Sequence, residues 1–174
     1  MLAAECAWAI LRAEHTRTRE LLARLDTATK MDAGACTGQR ARSAIEVIER
    51  FQAFEATTHR PKGVVMLNML RGRSSEADAL LDQLDAESEQ CNDLLSRAEA
   101  LLKLAEAGDV RAAAEAEALL QRHRQLMYVH LDKEDTLLHS QTALLLTAEE
   151  WAAVVSSISK EVHAAREREH RRPH

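Results

Sequence analysis

Aromatic residues make up 3% of this 174-residue chain, which holds only five glycines and two prolines. Little in it can break a helix. Ala, Leu, Glu and Arg dominate the rest, a composition that favours helix almost everywhere. The three cysteines, Cys6, Cys36 and Cys91, are odd in number and widely spaced, so they form neither a Cys-x-x-Cys pair nor a disulfide framework. No apolar run approaches the ~20 residues that span a bilayer. The N-terminal stretch MLAAECAWAILRAEH lacks a positively charged leader, which argues against a signal peptide. No membrane contact is expected, and the cytoplasm is the expected compartment. A charge excess of one sign is missing too. The net charge is −5 with both signs mixed, and the single basic cluster, Arg166 to Arg172, is broken by Glu167 and Glu169. It reads as a solvated end, and no nucleic-acid partner is expected.

Hydrophobic residues at 46% rule out a disordered chain, and the length suits one domain with a real core. The expected division is a helical bundle over residues 1–165 and a charged tail over 166–174. Five helical segments follow from the apolar spacing. The first runs from about Ala3 to Thr29, with Trp8, Leu11, His15, Leu22 and Leu25 on its stripe. Two glycines in MDAGACTG, Met31 to Gly38, break it. The second runs from about Arg40 to Arg71, with Ile45, Ile48, Phe51, Glu55, His59, Met66 and Leu70 near one face and a kink expected at Pro61. The turn Gly72-Arg73-Ser74-Ser75 supplies a break and then an N-cap. The third stripe is Ala77, Leu81, Leu84, Ser88, Cys91, Leu95, Ala98 and Leu102. Gly108-Asp109 opens the fourth helix, with Leu119, His123, Leu126, His130, Glu134 and Leu137 on one face. Thr147 and Glu150 make a capping box for the last helix, whose buried side is Trp151, Val154, Val155 and Ile158. The fold class is all-α: an up-down-up-down four-helix bundle with an additional C-terminal helix.

His130 and Glu134 stand one helical turn apart, so an imidazole and a carboxylate stack on one face. His15 and His59 lie on inward stripes of two other helices. Antiparallel neighbours bring the three histidines to comparable heights. A lone inward histidine is commonly a satisfied core residue. Three on separate helices, one with a carboxylate at i+4, also fit a metal site, and mixed nitrogen and oxygen ligands suit iron, zinc or manganese. Glu55 and Cys91 are weaker candidates for the same site. His123 reads as a boundary residue, and His139, His163, His170 and His174 as exposed. Met66 and Met69 read as packing residues.

The phrases LRAEHTRTRELLARLD, FEATTHRPKG, LLDQLDAESEQ and YVHLDKEDTLL, followed by LTAEEW, resemble the hemerythrin-like (HHE cation-binding) domain over nearly the whole chain and in order. The resemblance implies a four-helix bundle holding a non-haem di-iron centre that binds O2 or responds to oxygen, nitric oxide or iron. Under it, His15 matches the first-helix histidine, His59 the second-helix His-x-x-x-Glu histidine, and His130 with Glu134 the fourth-helix His-x-x-x-Glu motif. The bridging glutamate of the second helix would fall at Gly63, and the third-helix histidine at Ser88, between Glu87 and Glu89. Both ligands are therefore missing. The reading is a metal-binding protein with an incomplete site, holding one or two irons, that senses or carries a small diatomic ligand. Two alternatives stand beside it: a metal-poor structural or interaction bundle with a decayed site, and a non-haem iron oxidoreductase, for which no second acid/base group or substrate pocket is visible in the sequence. An exposed fifth helix could also pair chains into a homo-oligomer.

Overall fold

A computed structural model describes residues 2–30 and 37–170, and every described element is helical. The elements are α1 (Leu2–Thr29), α2 (Thr37–Phe54), a π-helical turn (Glu55–His59), α3 (Arg60–Leu70), α4 (Ser75–Glu106), α5 (Val110–Lys133), a second π-helical turn (Glu134–Leu138), α6 (His139–Leu145) and α7 (Ala148–His170). Among the described residues no helix is long and apolar enough to cross a membrane. Most of the expected break at Met31–Gly38, including Cys36, lies outside the described residues, as do Arg171, Arg172 and His174 of the tail.

The helix ends follow from local chemistry. Ser74 caps α4, its hydroxyl accepting the Ala77 N–H at 3.0 Å. That helix ends at Glu106, and Gly108 follows with a φ of +105° that is cheap only without a Cβ. There the Asp109 N–H reaches back to the Leu104 carbonyl and the Gly108 N–H to Ala105, which occupies two otherwise unpaired carbonyls. Asp109 then caps α5 through the Ala112 N–H at 3.0 Å. The expected capping box on α7 is formed: Thr147 N–H donates to Glu150 Oε2 at 2.8 Å, and Glu150 N–H to Thr147 Oγ1 at 3.3 Å.

The chain gathers into two compact units. The first comprises Met1–His15, Ala53–Asp82 and Lys133–His174. In it α3 packs on α6 and α7, and the core is built from Trp8, Leu11, Met66, Leu70, Leu138, Trp151, Val154 and Ile158. Trp8 donates its indole N–H to Thr142 Oγ1 at 3.3 Å and meets the His139 ring edge-on at 5.0 Å. His139 is therefore half-buried, not exposed as expected. The second unit comprises Thr16–Gln52 and Gln83–Asp132, around Leu22, Leu25, Ile48, Phe51, Leu95, Leu102, Leu120, Met127 and Leu131.

The α5 stripe differs from expectation. Leu120, His123, Met127 and Leu131 are buried, while Leu119 and Leu126 are only partly covered and Leu137 is exposed. Apolar residues occur in adjacent pairs along this helix, so a 3.6-residue period fits two neighbouring columns almost equally well. His123 is also corrected. It is fully buried, edge-on to Phe51 at 5.4 Å between ring centroids, with no hydrogen-bond partner among the described residues for either nitrogen. Burial alone pushes its pKa down to about 4.

Candidate metal centre

Two turns of unusual helix deliver the chemistry of the first unit. In Glu55–His59 the Arg60 N–H reaches the Glu55 carbonyl, five residues back. Pro61 follows in the first turn of α3. It has no N–H to donate, and in a regular α-helix its ring would crowd the carbonyl of Thr57. The widened turn accommodates it where a simple kink was expected. The second such turn begins at Glu134, with the His139 N–H reaching the Glu134 and Thr136 carbonyls. Single π turns inside α-helices recur at functional sites. Here each one carries a residue of the same cluster.

That cluster is His15, His59 and Glu134, with one ligand atom from each lying within 4.8 Å of the others. His15 Nε2 is 3.1 Å from Glu134 Oε2, and His59 Nε2 is 3.9 Å from the same oxygen. The two imidazoles meet edge-on with centroids 5.0 Å apart. His15 is buried, at 2% exposure, while His59 and Glu134 are mostly covered. Among the described residues no other three His, Cys, Asp or Glu side chains come together in this way.

Each imidazole is held from behind by a carboxylate. His15 Nδ1 lies 2.6 Å from Asp135 Oδ1, and His59 Nδ1 lies 3.2 Å from Glu14 Oε2. Glu14 is held in turn by the buried ammonium of Lys62, and Phe54 stacks nearly parallel to the His59 ring. Carboxylates only accept, so each Nδ1 donates and each Nε2 is the nitrogen left for the cluster. A neutral imidazole has one N–H. With Nδ1 committed to Asp135, His15 Nε2 can face the Glu134 oxygen comfortably only across a second proton or a cation. Burial opposes protonation of His59, but the Glu14 hydrogen bond and the charges of Glu55, Glu134 and Glu14 outweigh it and raise its pKa. Two imidazole nitrogens and one carboxylate oxygen make a donor set that fits a divalent transition metal and resembles the two-His, one-carboxylate arrangement used for non-haem iron.

His130 belongs to the second unit, with Nδ1 3.4 Å from Glu87 Oε2. Ser88 is half-buried beside Glu87, and Cys91 is buried in the same unit. Glu55 opens the first π turn, half-buried, and acts on His59 through its charge. Sequence reasoning missed Glu14, Lys62 and Asp135. The available signal was adjacency: Glu14 precedes His15, Asp135 follows Glu134, and Lys62 stands three residues after His59 on the same helical face.

Comparison with known families gives one match. The hemerythrin HHE cation binding domain matches residues 6–142. No curated protein and no solved structure matches the chain.

Proposed function

Because the chain belongs to the hemerythrin HHE cation-binding domain family, we propose that it is a metal-binding bundle of up-down-up-down topology, with a centre formed by His15, His59 and Glu134. The observation that carries this reading is the convergence of His15 Nε2 and His59 Nε2 on one Glu134 oxygen, with both Nδ1 atoms occupied by carboxylates. Iron is the favoured ion on family grounds, and zinc or manganese suits the same donors. Iron held by two imidazoles and a carboxylate keeps positions open for a small molecule such as O2 or NO. His130, paired with Glu87, stands outside this ligand set. Sensing or carrying such a molecule is the role proposed for the centre.

A metal-poor bundle is the second reading. Gly63 and Ser88 favour it, since neither position offers an imidazole or a carboxylate. Elemental analysis of protein from iron-supplemented cells separates the two. About one iron per chain is expected from a single three-donor set, lost in His15→Ala and Glu134→Ala. Metal at background level would establish the second reading, and about two irons per chain would require ligands beyond this triad.

A further inference from the structure

Lys62 is 6% exposed and Glu14 8%, and the lysine ammonium pairs directly with the Glu14 carboxylate. Lysine has a stem long enough to carry its charge to water, yet here the charge stays inside. Desolvating two ions costs several kilocalories each, and a well-packed apolar pair would commonly serve the fold equally well or better. Stability alone is a poor reason for this pair.

The second oxygen of Glu14 supplies a better one. Lys62 holds Oε1, while Oε2 lies 3.2 Å from Nδ1 of His59. One carboxylate is thus gripped by an ammonium and offers its other end to an imidazole. Since Glu14 can only accept there, Nδ1 carries the proton and Nε2 keeps its lone pair. Nε2 is the nitrogen that faces Glu134. The chain makes the arrangement economical. The backbone that delivers His15 to the cluster delivers Glu14 to His59, and His59 and Lys62 share a helical face at a spacing of three.

We infer that Lys62 and Glu14 form a positioning pair for His59: the ammonium fixes Glu14, Glu14 fixes the Nδ1–H tautomer, and Nε2 is committed to the centre. Neither residue supplies an atom to the ion. The inference deepens the metal-binding reading and rests on it for the ligand, but the tautomer is a property of the metal-free chain.

Two measurements test it. The first is 15N NMR of histidine-labelled, metal-free protein at pH about 9, where imidazoles are neutral. His59 is expected as the Nδ1–H tautomer, with Lys62→Met and Glu14→Gln both releasing it to Nε2–H. The second is titration with Co(II). Each single variant should bind roughly 10–100-fold more weakly. The double variant should lose no more than either single one, because the two residues act in series. Lys62→Arg should recover most of the loss. Thermal melts followed by circular dichroism establish that each variant is folded. If a single variant leaves one charge stranded and does not fold, the charge-free double variant carries the tautomer measurement. An Nε2–H tautomer in the parent protein, an unchanged tautomer in the variants, or additive losses of affinity would each overturn the assignment. A parent protein that takes up no cobalt would overturn the ligand set instead, and the tautomer spectra would still decide the role of Lys62 and Glu14.

Discussion

Nδ1 of His15 lies 2.6 Å from Oδ1 of Asp135, across 120 residues of sequence, and this contact leaves the opposite nitrogen of the ring for Glu134. A carboxylate behind a ligating imidazole fixes its tautomer and raises its basicity, and loss of such a partner typically costs 10–100-fold in metal affinity. Asp135→Asn should weaken Co(II) binding by roughly that factor with the melting temperature of the metal-free protein little changed. Unaltered affinity would mean that Asp135 does not orient His15.

Gly63 offers a test of the missing carboxylate. It lies inside α3, and a Cβ built on it meets nothing within 4 Å. A side chain can therefore start from this position without its Cβ displacing a neighbour, and Gly63→Glu supplies the carboxylate. It should stabilise the helix by up to ~1 kcal/mol, since glycine is the costlier residue in a helix interior. Iron content after growth should rise, and more so when Ser88→His is added. No increase in either variant would show that the two positions do not correspond to the family's ligands.

His123 makes the fold acid-sensitive. Its pKa is about 4 in the folded chain, against an ordinary value of 6.5. A depressed imidazole pKa means that the unfolded state takes up the proton first as pH falls. The stability associated with its neutral, buried form is complete above about pH 6.5 and is lost as pH drops toward 4, a change of about 3 kcal/mol. His123→Leu should lose that part of the acid dependence while remaining at least as stable at neutral pH, because it replaces an imidazole with no hydrogen-bond partner among the described residues. The comparison is the difference in denaturant midpoint between the two proteins from pH 7 to pH 4. A constant difference would refute the assignment.

At Ser74 the expected effect is local. Ser74→Ala removes the acceptor for the Ala77 N–H and should cost about 1 kcal/mol, whereas Ser74→Gly should cost only a few tenths. For a chain of this size, 1 kcal/mol corresponds to a fall in melting temperature of roughly 2–4 °C. Equal losses in both variants would point to packing of the serine, not to capping.

Much of this architecture was readable from spacing alone. Trp8, Leu11, His15, Leu22 and Leu25 were expected on one stripe, and all are buried. Thr147 and Glu150 form their reciprocal cap. The α5 register was harder, because paired apolar residues such as Leu119 and Leu120 satisfy two columns and only packing chooses between them. In the cluster, His15, His59 and Glu134 were legible as histidines and a carboxylate on inward stripes. Glu14, Lys62 and Asp135 were not. A charged residue beside an inward one on an amphipathic helix ordinarily faces solvent, and its burial here depends on partners brought in from distant segments.

The two π turns carry a further consequence. Each fits about one more residue into a turn than an α-helix does, so each resets the angular register of the chain that follows. Leu138 is buried at the end of the second turn, and Thr142 follows it, buried, one helical turn later. A one-residue deletion between Glu134 and Leu138 would yield a more regular helix and a worse protein. It would rotate the segment after it by about 100°, carrying Thr142 away from Trp8. The register of the chain after each turn depends on the length of that turn. Away from His59, Glu134 and Asp135, single substitutions leave that register in place, whereas insertions and deletions change it.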